Sequence, residues 1–79
     1  MTQSRSLYHI KDGQSATIQS FDSSIPATTV RRLQEMGLNR NRLVQILHHG
    51  PFKGPISIAI GGLVLALDID IAEHILVSQ

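Results

Sequence analysis

The sequence predicts a mainly β fold: a small, strongly bent barrel of five short strands with one short α-helix over about residues 27–36. Three observations carry this. Apolar residues alternate with period two in several short runs, as strands with one buried face require. Only one segment, Ala27 to Met36, has the three-residue apolar spacing of a helix. Leu, Ile and Val are concentrated late, with 16 of 23 in positions 40–79, whereas ten of the twelve Ser and Thr lie in positions 1–30. Strand edges this apolar need covering, and a sheet that curls on itself removes them.

The elements follow in order. Lys11-Asp12-Gly13-Gln14 reads as a turn, with Gly13 supplying a positive φ. Ser15 to Phe21 then alternates, Ala16 and Ile18 inward, Thr17 and Gln19 outward. Asp22 to Pro26 breaks that strand with turn-forming residues. In the helix, Val30, Leu33 and Met36 form the apolar stripe, and Arg31, Arg32, Gln34 and Glu35 lie off it. Gly37 stands where a left-handed residue ends a helix, and Leu38 can fold back on Leu33 as in a Schellman cap.

Asn39-Arg40-Asn41 is a turn, asparagine tolerating the left-handed region. Arg42 to His48 is the next strand, with Val44 and Ile46 on one face. The loop Gly50 to Pro55 leads to Ile56–Ile60, Gly61-Gly62 is a two-residue hairpin signal, and Leu63–Leu67 returns with three leucines facing the core. A short turn, Asp68 to Glu73, precedes a last strand with Ile75 and Val77 inward. An SH3-like barrel fits this count, with the helix plugging one open end.

Length and composition bound the rest. At 79 residues the chain is a single domain, residues 1–79, with one core. Such a core rarely supplies more than ~3–5 kcal/mol. There is no cysteine, which excludes a disulfide framework and a thiolate zinc site. The chain is too apolar and too near neutrality (formal charge +1) for intrinsic disorder. Its most apolar run, Ile56 to Leu67, is shorter than the ~17–25 residues of a membrane-spanning helix. With no secretory signal at the start, a cytoplasmic location is expected.

The pattern resembles the FeoA-type ferrous iron transport proteins. Gly13-Gln14-Ser15-Ala16-Thr17-Ile18 is similar to that family's first strand, and Arg32-Leu33-Gln34-Glu35-Met36-Gly37-Leu38 to its helix end. Pro51 to Ile58, then Leu65-Ala66-Leu67 and Ala72 to Val77, is similar to its long hairpin and final strand. The order and spacing of these blocks, from about Leu7 to Val77, carry the resemblance. Two positions depart from the family pattern: Arg40-Asn41 replaces a usual Pro-Gly, and Asp68 stands where a basic residue is frequent. The resemblance implies an SH3-like fold and a cytoplasmic accessory role in bacterial ferrous iron uptake. It implies as partner the membrane transporter FeoB, which carries a cytoplasmic G-protein domain. A similar domain also ends some metal-dependent transcription repressors, so the fold alone does not fix the role.

Two surfaces stand out as partner-binding candidates. In the loop Gly50 to Pro55, Pro51 and Pro55 stiffen the backbone, Lys53 adds a charge, and Phe52 occupies the tip. Phe52 is either an exposed anchor or a lid folded over the barrel mouth. Charge is also uneven: residues 31–42 carry Arg31, Arg32, Arg40 and Arg42 against Glu35 (+3), and residues 68–79 carry Asp68, Asp70 and Glu73 alone (−3). Arg31 and Arg32 either steer a matched partner or form a merely solvated helix face.

No metal site, cofactor or catalytic constellation is expected. His48 and His49 are neighbours on a strand and point to opposite faces. Asp68, Asp70, Glu73 and His74 match no established ligand spacing. No nucleophile elbow, P-loop or dinucleotide glycine pattern occurs, so an enzyme is not expected. The alternative is an SH3-like nucleic-acid-binding or metal-responsive module, for which Tyr8, Phe21 and Phe52 are the only aromatics and a pI near 8.3 is a weak basic footprint. The uncharged hairpin Ile56 to Leu67 also allows weak homo-oligomers.

Overall fold

The computed structural model describes residues 5–79. Strand β1 is Arg5–Ser6, followed by a 3₁₀ turn over Leu7–His9, β2 Ser15–Phe21, α1 Ala27–Glu35 and β3 Leu43–His49. Then come β4 Ile56–Ile60, β5 Leu63–Leu67, α2 Ile69–Ala72 and β6 Ile75–Ser78. All six strands form one antiparallel sheet in the order β1-β6-β2-β3-β4-β5. The expected mainly β, SH3-like fold is therefore present, with two differences. A sixth strand, β1, pairs Arg5 with Val77 and Ser6 with Leu76. The hydrogen-bonded ladder also does not close: β1 and β5 remain its two edges.

The sheet bends instead at two register shifts, between Ile18 and Ser20 on β2 and between Ile46 and His48 on β3. An extra residue on one strand kinks it and raises the local twist. The bent sheet encloses a core with no buried polar or charged residue among those described. The alternating positions lie where the sequence puts them: Ala16, Ile18, Val44, Ile46, Ile56, Ile58, Ile60, Ile75 and Val77 are all buried.

The turns follow their residue chemistry. Gly37 takes φ +106, Leu38 N donates to Leu33 O and Gly37 N to Gln34 O, both over 3.0 Å, which is the full Schellman pair. Leu33 and Leu38 are both buried, so the expected apolar contact accompanies the cap. Asn41 adopts φ 71, and Gly61 opens the β4–β5 hairpin, in which Ile60 pairs with Leu63.

Four local expectations need correcting. On β5 only Leu67 is buried; Leu65 is half-buried and Leu63 is 45% exposed, because this edge strand has a neighbour on one side only. On α1 only Leu33 is buried, Val30 packs partly against the core, and Met36 is exposed, so the expected stripe of Val30, Leu33 and Met36 faces inward only in part. The Asp68–Glu73 turn contains a one-turn helix, α2, which buries Ala72. Leu7 and Ile10, given no element from the sequence, are buried at the 3₁₀ turn, whose Tyr8 amide Ser6 caps (Tyr8 N to Ser6 Oγ, 3.2 Å).

Candidate interaction surface

The loop between β3 and β4 is closed twice by backbone hydrogen bonds. Gly50 N donates to Pro55 O over 2.9 Å, and within that ring Gly54 N donates to Pro51 O over 3.0 Å. The inner turn has Phe52 at φ 56 and Lys53 at φ 57, both left-handed. Asn and Gly are the residues that normally fill such a pair. A bulky side chain there costs of order 1–3 kcal/mol, and strain of this kind clusters at functional sites. Phe52 is 100% exposed, so it is not a lid over the core. Pro51, Lys53 and Pro55 are exposed around it.

Arg31 and Arg32 are exposed on α1, and neither forms an ion pair among the described residues. Arg31 borders an open groove of about 650 Å³ walled by Phe21, Ile25, Pro26 and Val30, with Asp22 at its rim. Asp22 shapes that rim. Its Oδ1 accepts from Ser24 N over 2.9 Å, and its Oδ2 lies 3.5 Å from His74 Nδ1. The Ser24 amide and then the Ser24 side chain hold this carboxyl below its ordinary value against an opposing effect of burial, and the His74 ring lowers it less than burial raises it.

Topology separates the two candidate surfaces. The α1 connection enters β3 at Leu43, and the Phe52 loop leaves it at His49. Seven residues of strand lie between them, roughly 20 Å at ~3.3 Å per residue. The acidic turn around α2 leaves Leu67, which pairs with Ile56, and ends at His74, whose ring lies 3.5 Å from Asp22 on the rim of the Arg31 groove, so it runs from the Phe52 end back toward α1.

A further cluster was not foreseen. His48 and His49, expected to point apart, follow the register shift after Ile46 and pair with Ser57 and Ile56, and both reach one carboxylate. His49 Nδ1 contacts Asp12 Oδ1, and His48 Nδ1 lies 4.0 Å from Asp12 Oδ2. Thirty-seven residues separate Asp12 from His49, and no local pattern links them. Among the described residues no three His, Cys, Asp or Glu side chains are grouped to hold a metal ion. No helix of the described residues is long and apolar enough to cross a membrane.

A bent six-stranded sheet around an apolar core, with its unusual chemistry confined to exposed loops and ends, defines a small SH3-like domain. The FeoA domain family matches residues 5–79, and the chain belongs to that family. The FeoA protein from Chlorobium tepidum superposes with a TM-score of 0.84 at 29% identity, covering 92% of this chain and 68% of that one. An iron uptake regulatory protein (FeoA) gives 0.79 at 23% identity, covering 95% of each chain. A manganese-dependent transcriptional repressor gives 0.86 at 24% identity over 100% of this chain but 43% of its own, a likeness of fold alone. This chain spans less than half the length of that repressor. No curated protein matches the chain in sequence. Family membership supports a role in ferrous iron uptake.

Proposed function

We propose that this protein is a cytoplasmic docking module of ferrous iron uptake. It binds the cytoplasmic part of a FeoB-type transporter and modulates transport or its nucleotide turnover. Pro51, Phe52, Lys53 and Pro55 form the primary contact, and Arg31 and Arg32 form a second. One observation carries this reading: an aromatic side chain stands wholly in solvent on a left-handed, twice-bonded loop. A pre-ordered aromatic loses little entropy on binding, and such residues dominate interface energetics. Arg31 and Arg32 contribute mainly to encounter rate and to salt dependence.

The test is calorimetric titration of the transporter's cytoplasmic domain with wild type, Phe52→Ala and an Arg31→Glu/Arg32→Glu double variant. Phe52→Ala weakens binding about tenfold or more, and the charge reversal slows association. Neither change lowers the melting temperature appreciably, since all three side chains are exposed. Because the two surfaces lie at opposite ends of β3, their effects add. Wild-type affinity in both variants would remove these surfaces from the interface.

A further inference from the structure

The ring of His49 faces an acceptor at each nitrogen. Nδ1 meets the Asp12 carboxylate and Nε2 lies 2.7 Å from the carbonyl oxygen of Tyr8. A neutral imidazole has a single N–H and would turn a lone pair toward one of these oxygens. Only the imidazolium donates to both. The Tyr8 ring stands edge-on to the His49 ring, with centroids 5.2 Å apart at 87°, and fixes its plane.

We infer that His49, when protonated, is a pH-sensitive staple that joins the 3₁₀ turn and the Lys11–Gln14 turn to the end of β3, and so sets how firmly the Phe52 loop is held. The placement supports this. Asp12 belongs to the Lys11–Gln14 turn, closed by Gln14 N to Lys11 O, and Tyr8 belongs to the 3₁₀ turn. His49 directly precedes Gly50, whose amide closes the loop on Pro55. Across β4 the facing residue is the apolar Ile56. The other titratable or charged neighbours are His48, shared on Asp12, then Lys11 beside Asp12, and His9, whose ring packs on Tyr8 with centroids 6.1 Å apart.

The direction of the effect follows by linkage. Burial acts to lower the His49 value, but the Asp12 hydrogen bond, the Tyr8 carbonyl and the Asp12 charge together outweigh it. The net shift is upward from the ordinary 6.5. A raised folded-state value gives stability that is complete below 6.5 and is lost as pH rises through the folded value. Asp12 is held below its ordinary 3.8, chiefly by the His49 hydrogen bond, so it stays ionised throughout that range.

The experiment is an NMR titration of all four imidazoles between about pH 6 and about pH 9. Exchange protection of the Gly50 and Gly54 amides is followed in parallel, corrected for intrinsic base catalysis. His49 titrates above the ordinary imidazole value, and protection at both glycines falls severalfold through the same transition. In Asp12→Asn the His49 midpoint moves down and the fall in protection moves with it. His48→Gln leaves both unchanged. The inference is overturned if His49 titrates at or below the ordinary value, if Asp12→Asn leaves its midpoint in place, or if glycine protection is indifferent to it. These readouts need no transporter, so they stand or fall apart from the docking reading.

Discussion

The carbonyl oxygen of Pro55 accepts the Gly50 amide over 2.9 Å and lies 2.8 Å from where a Cβ on Gly50 would stand. The same relation repeats inside the ring, where a Cβ on Gly54 would come within 2.9 Å of Pro51 O. Both clashes are with backbone, which cannot swing aside as a long side chain can. The two glycines are therefore required by close approach, and the loop that presents Phe52 cannot form around larger residues.

Gly50→Ala and Gly54→Ala each force this loop open at a cost of roughly 1–3 kcal/mol. Urea unfolding checks the stability, and loop amide shifts check the opening. Lys53→Gly is the opposite case: it relieves a left-handed residue at φ 57, and stability stays level or rises by up to about 1 kcal/mol, since the freer unfolded chain offsets part of the gain. Wild-type stability and loop shifts in both alanine variants would show that the turn has room the geometry denies it.

Ile58 is fully buried at the centre of β4, paired with Ile46 on one side and Leu65 on the other. Truncating it to Ala costs about 2–5 kcal/mol, comparable with the whole stability of ~3–5 kcal/mol that a core of this size supplies. Ile58→Ala is thus largely unfolded at 25 °C by circular dichroism. Ile58→Val, losing one methylene, stays folded at a cost of about 0.5–1.5 kcal/mol.

Asp22 governs part of the acid limb. Its folded-state value lies below the ordinary 3.8, held there first by the Ser24 amide. The stability it adds is present above 3.8 and is lost as pH falls through the lowered value. Asp22→Asn keeps the turn acceptor but not the titration, so the decline of melting temperature on acidification becomes shallower. A melting profile parallel to wild type between about pH 5 and about pH 2 would show that this carboxylate is equally stabilised in the unfolded chain.

Much of the architecture was legible from local pattern. Period-two alternation located β2 to β6, and the Leu33–Gly37–Leu38 spacing located the end of α1 and its cap. The loop residues around Phe52 were legible as a candidate surface from two prolines and an aromatic that no core position claims. Where the reading failed, the deciding quantity was not local. Leu63 and Leu65 alternate as core residues do, but edge position leaves them partly in water. Arg5–Ser6 and the Leu7–His9 turn are too short to show a period.

The residue order alone determined which side chains must leave water and where the chain must turn, because side-chain period and left-handed turn residues are properties of a few consecutive positions. Tertiary structure alone decided that Phe52 stands free, that His74 at the end of the acidic turn meets Asp22 beside the Arg31 groove, and that His49 meets Asp12 and Tyr8. Those outcomes depend on which distant segments the bent sheet brings side by side. Long-range pairing is a sum of many small packing terms, and no single stretch of sequence contains that sum.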